Sequence, residues 1–263
     1  MIPGTDRREH LTQVKTASPL DLAPGVAVKV LASGETGARG LATCTATLSP
    51  GAALPYHTHP CGEVIIPVEG AAEVQVEGRS YRLTPFDALH VPAGVAHRVA
   101  NASADQPAVL FTAFSSEVLA RTWVEDEWSG QPPAPAGEAT PESLTRFEAA
   151  PAYELAPNTR FRDLFSRRLG SRGICGGYGR FQPGSSLPCH IHGYDESITI
   201  VEGAAICQVA GQEYPVSDLD TACIPEARPH RFLNRGDVPM AMLWVYAGDE
   251  PDRTILDACY CEP

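Results

Sequence analysis

The sequence predicts an all-β protein built from two tandem antiparallel β-barrel domains that arose by internal duplication. A motif of three histidines and one glutamate occurs twice with unchanged internal spacing, and the copies are offset by 133 residues, the distance from His57 to His190. Proline and glycine interrupt the chain about every ten residues, as in antiparallel sandwiches and small barrels. No long apolar stripe of helical period occurs.

The duplication extends well beyond the motif and fixes the expected domain boundaries. Residues 22–24 and 155–157 both read Leu-Ala-Pro, and after a one-residue slip Arg121-Thr122 recurs as Arg253-Thr254. Internal repeats of this kind predict the architecture before any local element is assigned. We therefore expect an N-terminal barrel over residues 11–128, a Pro- and Gly-rich linker over residues 129–143 and a C-terminal barrel over residues 144–261.

Local patterns agree with strands and leave one place for a helix. Residues 72–78 alternate small or apolar side chains with polar ones, which is the period of a half-buried strand. The corresponding residues 205–211 are more apolar and are expected to be buried on both faces. A short helix is expected around residues 142–149, after Thr140-Pro141.

The duplicated motif gathers the side chains of a divalent-metal site. In a strand, residues i and i+2 point to the same face, so His57 and His59 are expected to aim together into the barrel, with Glu63 and His97 arriving from later strands. Three neutral imidazoles and one carboxylate suit Mn, Fe, Ni, Co, Cu or Zn and leave two positions of an octahedron open. The second copy supplies His190, His192, Glu196 and His230.

These motifs resemble those of the cupin superfamily, and their doubling resembles a bicupin. The family's first motif, from a leading glycine to a closing one, fits both copies without a gap, as from Gly51 to Gly70. The second motif fits in part, because Phe86 and Leu219 stand at its leading glycine and Ala227 replaces another glycine in the second copy. The resemblance implies two jelly-roll barrels and the eight motif residues as metal ligands.

Composition limits the classes of partner. The formal net charge of −12 and the lack of a basic stripe argue against nucleic acid and anionic membranes. No signal peptide and no apolar run long enough to cross a bilayer is found, so we expect a cytoplasmic protein with a small-molecule substrate. Its assembly is left open between a monomer and a homodimer. The eight cysteines do not recur between the repeats and are expected to be reduced thiols.

The sequence also predicts the positions of several individual residues near the motifs. Cys61 is the thiol expected nearest the metal, and His90 is expected to pack on the outer face. Arg180 is expected at the surface, with carboxylate binding as the alternative. Substitutions between the copies, such as Thr45 against Tyr178, predict that the two centres differ in function.

The reaction is predicted to be metal-dependent and of the dioxygenase type, on a small oxygenated substrate such as a diketone, a phenol or a hydroxy acid. Two alternatives stay open. One is a non-redox isomerase, cyclase or lyase, and the other is a non-catalytic protein that binds or senses a small ligand. The motifs do not choose among them, because the fold alone does not determine the reaction.

Overall fold

The protein forms two antiparallel β domains of the same architecture. The computed structural model describes residues 6–128 and 140–263. Each domain faces a five-stranded sheet against a seven-stranded sheet, and only short 3₁₀ helices interrupt the strands in the described residues. The prediction of an all-β protein with two tandem barrels is confirmed.

The described strands are short and alternate with tight turns. The strands before residue 129 are β1 (His10–Thr12), β2 (Leu20–Ala23), β3 (Val26–Ala32), β4 (Ala42–Leu48), β5 (Ala53–Thr58), β6 (Glu63–Glu69), β7 (Ala72–Val76), β8 (Arg79–Leu83), β9 (Ala88–Val91), β10 (His97–Asn101), β11 (Ala108–Phe114) and β12 (Thr122–Trp123). Those after residue 139 are β13 (Ser143–Thr145), β14 (Ala152–Tyr153), β15 (Thr159–Phe165), β16 (Cys175–Phe181), β17 (His190–Ile191), β18 (Glu196–Glu202), β19 (Ala204–Val209), β20 (Gln212–Ser217), β21 (Thr221–Ile224), β22 (His230–Leu233), β23 (Met240–Tyr246) and β24 (Thr254–Ile255). The 3₁₀ helices are η1 (Gly34–Thr36), η2 (Phe147–Ala149), η3 (Arg167–Leu169) and η4 (Ala258–Tyr260).

The strand order is the same in both domains. The five-stranded sheets run β12-β5-β10-β7-β8 and β24-β17-β22-β19-β20. The seven-stranded sheets run β13-β9-β6-β11-β4-β3-β2 and β1-β21-β18-β23-β16-β15-β14. Each repeat therefore folds the same way, as its sequence periodicity predicts.

The two domains exchange an edge strand. β1 pairs with β21 of the C-terminal domain, where Leu11 lies opposite Ala222, and β13 pairs with β9 of the N-terminal domain, where Leu144 lies opposite Leu89. These edges differ from the predicted ranges, which placed residues 11–12 in the first barrel and 144–145 in the second. The expected helix over residues 142–149 is wrong. This segment is β13 followed by η2, because Leu144 packs as a strand residue against the N-terminal core.

The predicted linker over residues 129–143 lies partly outside the described residues, which resume at Thr140. Its last residues are held by the N-terminal domain. The buried carboxylate of Glu142 accepts hydrogen bonds from Arg79 Nε at 2.5 Å and Nη2 at 2.9 Å, and from the hydroxyl of Tyr81. Ser143 then begins β13.

The central strands of the seven-stranded sheets are buried on both faces, which explains the nearly continuous apolar runs of β6 and β23. In β6, Ile65 points into the N-terminal barrel, whereas Val64 and Ile66 point to a core shared by the two domains. Leu164 and Leu243 join this shared core from the C-terminal domain. Alternate side chains of the same strand thus pack into the barrel interior and into the interface between the domains.

The expectation of reduced cysteines is wrong for one pair. Cys189 and Cys261 form a disulfide that ties the C-terminal segment to the residue preceding β17. This disulfide could not be predicted from the sequence, because neither cysteine recurs in the other repeat and the two are 72 residues apart. None of the described helices has the length and apolar character needed to cross a membrane.

Candidate metal centres

The N-terminal motif residues converge inside the first barrel. His57 lies near the end of β5 and pairs across the sheet with His97 at the start of β10, while Glu63 begins β6. All four side chains, including His59, are buried, and one ligand atom from each lies within 4.8 Å of the others. The i and i+2 spacing of His57 and His59 places both rings on the same side, as the sequence predicts.

Backbone carbonyls orient the imidazoles. The Nδ1 atoms of His57 and His59 donate to the carbonyls of Pro55 at 2.7 Å and Ala120 at 2.6 Å, and Nδ1 of His97 donates to Val95 at 3.1 Å. A carbonyl can only accept, so Nδ1 carries the proton and the Nε2 lone pair is directed to the centre. This second layer of hydrogen bonds is typical of histidine ligands in metal sites.

The electrostatics of this centre favour a cation. Burial lowers the pKa of His57 to about 3, and the neighbouring His97 adds to the effect. Burial alone would raise the pKa of Glu63, but His59 and His97 hold it well below its ordinary value. Burial opposes a charge on His59, yet Glu63 raises the pKa of this imidazole. Metal binding therefore competes with a proton on His59.

The C-terminal centre repeats this arrangement. His190, His192, Glu196 and His230 are buried, with ligand atoms again within 4.8 Å of one another. The three Nδ1 atoms donate to the carbonyls of the residues that correspond by repeat, at 2.8, 2.5 and 2.9 Å. Burial and the neighbouring His230 hold the pKa of His190 well below its usual range.

Both donor sets fit a divalent metal. The Nε2 atoms of His59 and His192 are buried and make no hydrogen bond, although each lies 3.3 Å from the carboxylate of its centre. A buried polar atom without a partner is costly, and a cation between the imidazoles and the carboxylate would remove this cost. The structure thus brings together all eight residues that the sequence singled out.

The N-terminal centre opens onto a cavity of about 190 Å³. His59 and Glu63 line it together with Arg121, and the remaining walls are mostly apolar. The Nε atom of Arg121 is buried without a hydrogen-bond partner, and its guanidinium lies 5.3 Å from the ring of Trp123. Burial lowers the pKa of Arg121, while Glu63 opposes the shift. A cationic side chain therefore faces the space beside the metal ligands.

Aromatic side chains fill the corresponding space in the C-terminal barrel. Trp244 and Phe161 stand where the N-terminal cavity has Thr112 and Val28. Glycines admit these rings. A Cβ on Gly177 would lie 2.8 Å from Trp244, and one on Gly179 would lie 2.5 Å from Phe161. A separate cavity of about 330 Å³ reaches Tyr246 and Arg253, but none of its lining residues is a motif residue.

Sequence reasoning found the eight motif residues and missed the lining. The thiol in the N-terminal cavity is Cys44, whose pKa burial raises to about 12, and Cys61 lies outside this cavity. Tyr178 packs in the interdomain core. Arg180 pairs with Glu202 at the surface, as expected from the sequence. In the sequence, Arg121 stands out only as part of the repeat. Its recurrence as Arg253 was the available signal.

The comparisons with known proteins agree with this fold. The cupin domain family, Cupin_2, matches residues 44–114 and 177–246, so the chain belongs to the cupin family. A comparison with curated protein sequences finds no match. Oxalate decarboxylase from Bacillus subtilis superposes with a TM-score of 0.77 at 15% identity, over 96% of this chain and 79% of that one.

A second solved structure is the formate complex of Lactobacillus farciminis oxalate decarboxylase. It has a TM-score of 0.77 and 19% identity, over 96% of this chain and 90% of that chain. Identities this low show the shared two-domain cupin fold. The family match over both repeats and the two buried clusters of histidine and glutamate together establish a bicupin with two divalent-metal sites.

Proposed function

We propose that the N-terminal centre is the catalytic site of a metal-dependent enzyme of the dioxygenase type, acting on a small oxygenated substrate that carries a carboxylate. The ligands would be His57, His59, Glu63 and His97, with the second set holding the metal of the other barrel. When bound, the metal supplies a Lewis acid, and iron adds a redox step that zinc lacks.

The observation that carries the proposal is the position of Arg121. Its guanidinium lines the same cavity as His59 and Glu63, and it forms no ion pair in the described part of the chain. A guanidinium binds a carboxylate through two parallel N–H donors, so Arg121 can hold one end of a substrate while its other oxygens face the metal ligands. Among diketones, phenols and hydroxy acids, this favours the hydroxy acids.

The rest of the cavity selects by size and polarity. At about 190 Å³ it is smaller than the roughly 300–1,000 Å³ of pockets for drug-sized ligands, so the substrate is a small molecule. Leu22, Val30 and Leu54 form apolar walls, and Thr112 adds a hydroxyl. Apolar walls exclude water and strengthen the attraction between Arg121 and an anion.

A second candidate is a lyase that removes carbon dioxide from a small acid. It is favoured by the names of the structural neighbours, which are oxalate decarboxylases, and it would use the same arginine and metal. In a third hypothesis the protein is a sensor, which binds its ligand at the same site and does not convert it. These candidates differ in their requirement for oxygen and in their products.

The test is a screen of hydroxy acids, oxalate, diketones and catechols with iron, manganese and zinc forms of the protein. Oxygen uptake and carbon dioxide release are followed in parallel. The dioxygenase proposal expects oxygen uptake with iron and none with zinc. Carbon dioxide release without net oxygen consumption would support the decarboxylase instead, and binding without turnover would support the sensor.

Substitution of Arg121 tests its role in substrate binding. Arg121→Gln should raise KM for a carboxylate substrate by about 10- to 100-fold, because a charge-assisted hydrogen bond contributes about 1.5–3 kcal/mol. The matched control is Arg253→Gln in the other repeat, which should leave KM unchanged. An unchanged KM in Arg121→Gln would contradict carboxylate recognition by this residue.

A further inference from the structure

The interface between the domains contains two equivalent places, one of which holds a buried carboxylate. In the C-terminal half, Asp195 accepts hydrogen bonds from the backbone N–H groups of Arg39 at 2.8 Å and Glu226 at 3.0 Å. Arg7 adds its guanidinium, with Nη1 at 2.8 Å from Oδ1. Four N–H donors thus surround one carboxylate that is almost completely buried.

The N-terminal half has the two corresponding backbone donors but neither the carboxylate nor the guanidinium of Arg7, because the residue equivalent to Arg7 is Thr140. By the repeat, Gly62 corresponds to Asp195, Arg172 to Arg39 and Ala93 to Glu226. Among the described residues, the backbone N–H groups of Arg172 and Ala93 have no hydrogen-bond partner. All three residues line a cavity of about 380 Å³ between the domains. Gly62 has no side chain where Asp195 has its carboxylate, and the nearest side-chain atoms to that place are Nε2 of His90 and Oγ of Ser115.

His90 is a third group in this cavity without a partner among the described residues, and it is buried, whereas Ala93 and Arg172 are exposed. Its side chain is 3% exposed, and neither ring nitrogen has a hydrogen-bond partner. A Cβ on Gly62 would lie 2.9 Å from Nε2 of His90, so the ring faces the place where the side chain of Asp195 begins in the other half. There the residue corresponding to His90 is Cys223.

The surrounding contacts hold this cavity open and its donors in place. Ala93 lies in the turn closed by the N–H of Val95 on the carbonyl of Pro92, and Gly94 N–H donates to His59 O at 2.8 Å. Gly173, next to Arg172, donates to Asp249 Oδ1 at 2.6 Å. Equivalent bonds exist around Asp195, so both halves present their N–H groups in the same way.

We infer that this cavity between the domains binds a small carboxylate molecule, whose carboxylate takes the position that the side chain of Asp195 has in the other half. The N–H groups of Ala93 and Arg172 and a ring N–H of His90 donate to it, and the guanidinium of Arg172 balances its charge. None of the eight predicted metal ligands lines the cavity, so this site is separate from the metal centres and does not depend on the proposed reaction.

The direct test measures acetate binding by broadening of its methyl NMR signal, with zinc-loaded protein at constant ionic strength. Ala93→Pro removes one N–H donor and suits the second position of a turn whose third residue, Gly94, has φ of +78°. This variant should weaken acetate binding about tenfold, the effect of about 1.4 kcal/mol. The double variant Gly62→Asp, His90→Cys fills this place with the side chains found at the equivalent positions of the other half and should abolish acetate binding.

Arg121→Gln controls for acetate held in the N-terminal metal cavity and should leave the interdomain binding unchanged. The inference fails if acetate binds equally to wild type, Ala93→Pro and the double variant. It also fails if only Arg121→Gln weakens binding, or if inorganic phosphate binds and acetate does not.

A reciprocal variant keeps the inference testable if the first variants do not fold. Asp195→Gly should create a second empty place beside Arg7 and lower the melting temperature. Acetate should then raise the melting temperature of Asp195→Gly more than it raises that of the wild type, because it binds the folded state only. An equal effect of acetate on both proteins would show that these donors do not recognise a free carboxylate.

Discussion

Single residues preserve the turns that the sequence left in doubt. Phe86 and Leu219 stand at the family's leading glycine and adopt φ of +68° and +71°, and Ala227 has φ of +58° where Gly94 has +78°. A left-handed conformation costs a residue with a Cβ roughly 1–2 kcal/mol. Hydrogen bonds sustain it, because the N–H of Ala227 donates to His192 O just as Gly94 donates to His59 O. The missing glycines therefore cost stability and leave the loop geometry intact.

The residues that sequence reasoning placed correctly lie in strands or next to them. His57 and His59 follow the alternation of β5, so their direction could be predicted. Arg121 follows an irregular segment after β11, where no period fixes the direction of a side chain. His90 was expected on the outer face of its strand, and the second domain buries that face. Its environment depends on a contact that one repeat alone does not reveal.

The unpaired His90 should make the stability of the protein depend on pH. Burial lowers the pKa of His90 to about 4, with the charge of Arg172 adding to the effect. The unfolded value is about 6.5, so the unfolded state takes up the proton first and stability is lost as the pH falls from about 6.5 toward about 4. At about pH 5 this loss is about 2 kcal/mol. His90→Cys, which copies Cys223, removes this dependence.

Urea unfolding in chloride buffer at about pH 7.5 and about pH 5 measures the effect. The free energy of unfolding of wild type relative to His90→Cys should fall by about 2 kcal/mol between these two pH values. His10→Gln, at an exposed position, controls for the removal of a histidine. Parallel pH curves for wild type and His90→Cys would contradict a buried neutral imidazole at this position.

At the scale of elements, the repeat predicted the strands and did not predict which sheet each edge strand joins. β1 and β13 are equivalent by sequence, and each crosses to the other domain with the same register. A three-residue strand with one leucine carries too little pattern to specify its partner. The same brevity explains the wrong helix around residues 142–149, since local propensity there is weaker than the pairing with β9.

The exchange predicts that each edge strand stabilises the domain it does not belong to by sequence. Leu11→Asp places a charge against the core of the C-terminal barrel, and Leu144→Asp does the same in the N-terminal barrel. Hydrogen exchange followed by mass spectrometry should show faster exchange in β21 for Leu11→Asp and in β9 for Leu144→Asp. The two variants are matched controls for each other. Faster exchange confined to the N-terminal barrel in Leu11→Asp would refute the crossed pairing.

At the scale of the whole molecule, the two halves share a fold and differ in what their barrels contain. The repeat made the common architecture and both metal sets predictable from the sequence. The difference in lining was expected at Thr45 and Tyr178, but these face the interdomain core. It is found instead where Trp244 replaces Thr112 and Phe161 replaces Val28. The lining of each barrel depends on which face a strand turns to the barrel interior. That orientation could not be predicted from the sequence.

This asymmetry predicts that the two metal centres have different roles. The N-terminal ligands share a cavity with Arg121, whereas aromatic rings occupy the equivalent space beside the C-terminal ligands. His57→Ala should therefore reduce turnover by on the order of 100-fold or more, because loss of a ligand removes the metal next to the substrate cavity. His190→Ala should retain most of the turnover and lower the melting temperature, because metal bound to the folded state contributes to stability by mass action.

Metal content by elemental analysis, turnover and melting temperature of the same preparations distinguish these roles. Wild type should hold up to two ions per chain, and each variant should lose the ion of its own centre only. A double variant should combine the loss of activity with the loss of stability, since the centres lie in separate barrels and share no ligand. Equal loss of turnover in His57→Ala and His190→Ala, with both proteins folded and each retaining one ion, would mean that the filled C-terminal barrel also takes part in the reaction.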